Sequence, residues 1–127
     1  MKNEISIEDY KKSVKKKGVT KMRDEFFANL EYFCKTNDIT YCFEYKFLSA
    51  RKFKFDMVLL VSDKNHEFDI AIEWEGIMSK YSYHTEVKGY TANCTKYNLA
   101  AINGYKVLRY TVLNKDEAIS DIKKLLE

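Results

Sequence analysis

The stretch KFKFDMVLLV, residues 52–61, constrains the fold more than any other part of the chain. It begins in strict alternation, with Phe53 and Phe55 between Lys52, Lys54 and Asp56, and is then apolar from Met57 to Val61. Alternation has the period of a β-strand, and a strand that is apolar on both faces has to be covered on both faces. The covering layers are visible on either side of it. Met22, Phe26, Leu30 and Phe33 recur at helical spacing and predict an amphipathic helix over 20–36. YCFEYKFL (41–48) predicts a first strand with Tyr41, Phe43, Tyr45 and Phe47 on one face, Glu44 and Lys46 on the other. The polar SDKNH (62–66) is a turn, so 52–61 and a third strand at 67–76 form a hairpin.

A polar, irregular segment is expected at 77–89, then a helix at about 90–103 with the stripe Tyr90, Cys94, Tyr97 and Ala101. Gly104 stops it, YKVLRYTV (105–112) is a fourth strand, and DEAISDIKKLLE closes the chain as a helix capped by Asn114 or Asp116. The order is αβββαβα. That order predicts an α/β protein with helices flanking a mixed sheet. With 127 residues and 46% hydrophobic content there is material for one packed core.

Charge divides the chain. Residues 11–23, KKSVKKKGVTKMR, carry six Lys and one Arg without an acid, while the net charge of the whole is only +3. The expected organisation is a basic arm over 1–19 and a single domain over 20–127. Clustered lysines favour a phosphate backbone as partner, although a solvated tail has the same composition. The N-terminus has no apolar signal core and no run is long enough to span a membrane, so a cytoplasmic protein with no membrane partner is expected. Cys34, Cys42 and Cys94 form no CxxC pair, and they read as reduced, buried thiols.

The acids pose the functional question. In IAIEWEGI (70–77) the alternation sends Glu73 and Glu75 to one face and Trp74 to the opposite one, into the core. Asp56 lies on the preceding strand, where an Asp is unfavourable and costly to bury alone. An ion pair with Arg51, Lys52 or Lys54 would account for Asp56 by itself. A divalent cation accounts for all three acids at once, since Mg²⁺ is held by one or two carboxylates with water and substrate phosphate.

FEYKFLSARKFKFD (43–56), IAIEWEG (70–76), His84 and GYTANCTKYNLAAINGYKVLRYT (89–111) together resemble the PD-(D/E)XK nuclease superfamily, in particular its small phage-type and repair-type endonucleases. The resemblance implies a restriction-endonuclease-like αβββαβ core and an endonuclease dependent on Mg²⁺ or Mn²⁺. It matches Asp56 and Glu73 to the two metal-binding acids and Glu44, with Glu25 behind it, to acids that complete a second metal position. Glu75 stands where the family has its third-strand lysine. It is expected to be a second-metal ligand or a water-positioning base, while Lys96 on the following helix takes the lysine's place. Asn93 stands where that subgroup often has an Asp. Lys15, Lys16, Lys17, Arg51, Lys54, His84 and Asn93 are the expected DNA contacts. DNA is the implied substrate, branched or junction DNA included, with RNA left open and a homodimer suited to cutting both strands of a junction. The alternatives are a non-catalytic nucleic-acid-binding protein that retains the fold, and an interaction module whose acids are structural ion-pair partners.

Overall fold

In the computed structural model the elements run α1 (Ile7–Thr36), β1 (Thr40–Lys46), β2 (Lys54–Leu60), β3 (Asp69–Trp74), α2 (Tyr83–Ile102), β4 (Tyr105–Tyr110), a 3-10 turn (Lys115–Glu117) and α3 (Ala118–Leu126). The structure describes residues 7–76 and 83–127, and their side chains except those of 7–20 and 83–86. The order of elements agrees with the sequence expectation. Both long helices begin earlier than their apolar stripes. α1 starts at Ile7, so residues 7–19 of the expected arm are helical in backbone. α2 starts at Tyr83, so the second half of the expected irregular segment is helix, and 77–82 lie outside the described residues. Gly89 sits inside α2 with nothing within 4 Å of an added Cβ, and one helical glycine costs only about 1 kcal/mol.

The four strands form one mixed sheet in the order β1-β2-β3-β4. β1 pairs with β2 and β2 with β3 in antiparallel fashion, and α2 is the crossover that lets β4 lie parallel to β3. The turn between β2 and β3 is held by side chains. Asp63 Oδ1 accepts from the Asn65 and His66 N–H groups, and Asp69 Oδ1 from those of Val61 and Ser62.

Helices α1 and α3 cover one face. There Phe26, Phe27, Leu30 and Phe33 of α1 pack with Met57, Leu59, Ile70, Ile72 and Tyr110 of the sheet and Ile122 of α3. The face under α2 is thinner, with Phe55, Ala71 and Ala100 as its buried centre and Tyr45, Phe47, Tyr105 and Val107 around them. Among the described residues no helix is long and apolar enough to cross a membrane.

Two expectations need correction here. Neither Asn114 nor Asp116 caps the last helix. Asn114 Oδ1 instead accepts the Thr111 N–H at 2.7 Å, and α3 follows Glu117 without a side-chain cap. Of the cysteines only Cys34 is buried; Cys42 and Cys94 are exposed, and all three are free.

Candidate active site

The site begins with a break in phase. Strict alternation would put Phe55, Met57 and Leu59 on one face of β2. Met57 and Leu59 pack under α1, however, and Phe55 packs under α2. β1 changes phase at the same row. Phe43 meets Phe27 of α1, its ring centroid 5.9 Å away, whereas Tyr45 and Phe47 belong to the α2 face. The four aromatics expected on one face are therefore shared between two. The register pairs Phe43 with Met57 and Tyr45 with Phe55, which sets Glu44 opposite Asp56 in the row between. Glu44 makes the change with φ 50, a left-handed conformation that costs a residue with a Cβ roughly 1–2 kcal/mol.

The β2–β3 ladder runs through Leu59–Ile70, Val58–Ala71 and Met57–Ile72 and stops there. Two residues beyond Ile72, the Trp74 N–H donates not to a carbonyl but to Asp56 Oδ2, at 2.8 Å. A side chain thus completes the pairing where the two strands part. The other oxygen, Oδ1, accepts from Arg23 Nη2 of α1 at 3.3 Å, and the same nitrogen reaches Glu44 Oε1 at 3.4 Å.

Glu73 is the one charged residue buried among those described, with 6% exposure. It points under α2, where Lys96 Nζ lies 2.8 Å from its Oε1. The Lys96 ammonium also sits 5.7 Å from the ring centres of Phe55 and Tyr97. Burial pushes the Glu73 carboxyl up to about 7; Lys96 opposes the rise, and the negative charge of Asp56 adds to it. Asp56 and Glu73 are thus close enough to feel each other's charge at the open end of the hairpin.

Glu75 leaves the same face, as expected, and Trp74 the opposite one, its ring 5.0 Å from Phe26. The carboxylate of Glu75 has protein partners of its own. Its Oε1 accepts from Tyr97 at 2.7 Å and from Arg109 Nε at 2.8 Å, and the Arg109 guanidinium lies 4.2 Å over the Tyr97 ring. Burial raises the Glu75 carboxyl, but the bonds from Arg109 and Tyr97 and the charges of Arg109 and Lys96 outweigh it and hold the carboxyl below its ordinary range. The Tyr97 phenol is pushed up, by burial and by its bond to Glu75.

Of the residues singled out in the sequence, Asp56, Glu73 and Lys96 come together. Glu44 joins them only through Arg23, and Glu75 forms a separate cluster with Tyr97 and Arg109. Among the described residues no group of three or more His, Cys, Asp or Glu side chains is arranged to hold a metal ion. Glu25 does not reach the site. It pairs with Lys21 at 3.9 Å and lines a groove between α1 and the start of α3.

Asn93 is exposed on α2, one turn before Lys96. Arg51 lies 5.8 Å over Phe53, and Lys54 faces Lys46 across the strand pair, so neither partners Asp56. The side chains of Lys15, Lys16, Lys17 and His84 lie outside the described residues.

Three residues of the site escaped the sequence reading: Arg23, Tyr97 and Arg109. Arg23 counted as one more charge in the basic run, and Tyr97 as one more member of an apolar stripe. Arg109 had a signal in the parallel pairing, which sets it beside Glu73 in register, but only once β4 is known to neighbour β3. Comparison with protein-family models, with curated proteins and with solved structures returns no match to this chain.

Proposed function

We propose that the protein is a divalent-cation-dependent endonuclease that hydrolyses phosphodiester bonds in DNA. One observation carries the reading: Asp56, Glu73 and Lys96 meet where β2 and β3 part, one acid anchored by a backbone N–H and the other by the lysine. The resemblance of the same three residues to the PD-(D/E)XK pattern adds to it.

The donor set suits Mg²⁺ or Mn²⁺. Both acids offer hard oxygen, and two neighbouring carboxylates are the usual protein share of such a site. The electrostatics agree, because a carboxyl raised by burial and by a neighbouring acid gains most from a cation. Asp56 Oδ1 and Glu73 would hold the ion, which when bound supplies charge neutralisation at the phosphate and an activated water. The residues themselves do the positioning. The Trp74 N–H fixes the Asp56 carboxylate, and Lys96 places its ammonium beside Glu73, where negative charge would develop on the phosphoryl oxygens. Arg109, half exposed and braced by Glu75 and Tyr97, is a phosphate contact on the α2 side of the site.

Labelled linear, flap and four-way DNA, with an RNA control, is incubated with Mg²⁺, Mn²⁺ or chelator. Cleavage that needs the metal and is lost in Asp56→Asn supports the reading; cleavage in chelator overturns it. The second reading, a nucleic-acid-binding protein without turnover, is favoured by the ion pairing, since Asp56, Glu73 and Glu75 each have a cationic partner in the protein. Salt-sensitive DNA retention without nicking in any metal selects it.

A further inference from the structure

Arg23 reaches Asp56 from α1, whereas Lys96 reaches Glu73 from α2 on the other face of the sheet. We propose that Arg23 is a built-in counter-cation of the site: a divalent cation binding at Asp56 displaces it, and the freed guanidinium then takes the substrate phosphate. The inference rests on the metal-site reading above and goes beyond it.

The geometry is specific about which oxygen is contested. Asp56 Oδ2 is occupied by the Trp74 N–H at 2.8 Å, so the carboxylate cannot turn away without losing a backbone hydrogen bond. That leaves Oδ1, which Arg23 Nη2 holds at 3.3 Å while bridging to Glu44 Oε1 at 3.4 Å. A guanidinium cannot discharge itself by losing a proton, and a second positive charge at the same oxygen repels it. Arg23 and a metal ion therefore compete for Oδ1.

Both contacts are at the long end of the ion-pair range, and the Arg23 and Glu44 side chains are 36% and 61% exposed, so the bridge is weakly held. The guanidinium has a further neighbour in the ring of Phe27, one helical turn further along α1, its Cζ 4.8 Å from the ring centre. A cation at Oδ1 therefore has only the two long Nη2 contacts to break, and the freed guanidinium turns over the Phe27 face towards the phosphate. Among the described residues both ion pairs use Nη2 alone, so Nε and Nη1 keep their donors for a phosphate, which a planar fork matches.

The test uses the full-length chain and Mn²⁺ as the probe. Arg23→Met keeps an unbranched side chain and removes the charge, and Arg23→Lys keeps the charge. Calorimetric titration should show Arg23→Met binding Mn²⁺ on the order of tenfold tighter than the wild type, with Arg23→Lys close to wild type. At saturating Mn²⁺, DNA cleavage by Arg23→Met should fall on the order of 10²-fold, as for loss of one preorganised donor. Equal or weaker Mn²⁺ binding by Arg23→Met, with the wild type binding normally, overturns the competition and leaves the metal site standing. Tighter binding with undiminished cleavage overturns the phosphate role. No Mn²⁺ binding by the wild type or either variant defeats the metal-site reading and this inference with it.

Discussion

The two faces of the sheet are built for different tasks. Under α1 and α3 the strands present Met57, Leu59, Ile70, Ile72 and Tyr110 to a dense layer of phenylalanines. Under α2 they present Phe55, Ala71 and then Glu73. β3 shows the contrast residue by residue, with Ile70, Ile72 and Trp74 turned to the first face and Ala71 and Glu73 to the second. Each large apolar side chain buried on the first face contributes roughly 1.5–3 kcal/mol. A buried ion pair on the second contributes little net stability, because desolvating two charges offsets their attraction. The small side chains of Ala71 and Ala100 let α2 sit close enough for Lys96 to reach Glu73 over Phe55. The first face makes the fold, and the second gives up packing to hold charge.

The sharpest way to break this contrast is to cut into each face in turn. Leu30 is 1% exposed in the α1 layer, and Leu30→Ala should cost roughly 2–5 kcal/mol in urea unfolding. Activity per folded molecule should not change. A cost well below that range would mean the first face is not the source of stability.

The second face should betray itself through pH. Glu73 has its carboxyl raised from 4.5 to about 7, so between those values the folded protein holds a proton that the unfolded chain has released. The stability this contributes is fully present below about pH 4.5 and is lost as pH rises through about 7. At 1.36 kcal/mol per pH unit the whole effect is at most on the order of 3 kcal/mol. Glu73→Gln should flatten that part of the stability–pH curve, whereas Leu30→Ala should shift the curve down without changing its slope. A wild-type curve that rises from pH 5 to 7 by as much as the Glu73→Gln curve would show that burial does not raise this carboxyl.

What was legible in the sequence follows the same division. Period-two alternation is a local property, so the strands, the shared face of Glu73 and Glu75 and the core position of Trp74 could all be read directly. Lys96 could be singled out only through the resemblance to the nuclease pattern; its place beside an apolar helical stripe permits that role without pointing to it. The phase change at Glu44 had no signal, since a positive φ at a glutamate is imposed by the surrounding sheet and no glycine marks it. Arg23 was hidden for a related reason. Its role depends on α1 lying across the Glu44–Asp56 row, a contact between residues 33 positions apart in the chain. The early starts of α1 and α2 were missed because an apolar stripe marks where a helix is packed, not where it begins.

Smaller than the pH effect is the one that isolates chemistry from packing. Lys96→Ala should slow cleavage on the order of 10²-fold, the usual scale for one preorganised electrostatic contact. Its stability cost should be less than that of Leu30→Ala, because the stranded Glu73 can take up a proton instead of standing as a bare charge. Removing the lysine also removes a charge that lowers the Glu73 carboxyl, so Glu73 should become a still weaker acid and hold its proton to higher pH. Carboxyl titration followed by NMR checks that direction. A wild-type cleavage rate in Lys96→Ala would move the catalytic assignment away from α2.

The smallest effect tests whether Glu75 belongs to the active pair or only borders it. Tyr97→Phe keeps the ring under Arg109 and deletes only the hydroxyl that donates to Glu75 at 2.7 Å. A lost hydrogen bond to a charged group costs about 1.5–3 kcal/mol, and Arg109, still 2.8 Å from the same oxygen, should keep the loss at the low end. The Glu75 carboxyl should rise, since one of the bonds that outweigh its burial is gone. If Glu75 braces Arg109 against DNA, the variant should bind DNA more weakly and with a shallower salt dependence, while its rate at saturating DNA survives. If Glu75 instead carries the attacking water, the rate at saturating DNA should fall and DNA affinity should hold. The two outcomes separate a neighbouring phosphate clamp from a third catalytic acid, and the hydrogen-bonding of Glu75 to Tyr97 and Arg109 favours the clamp.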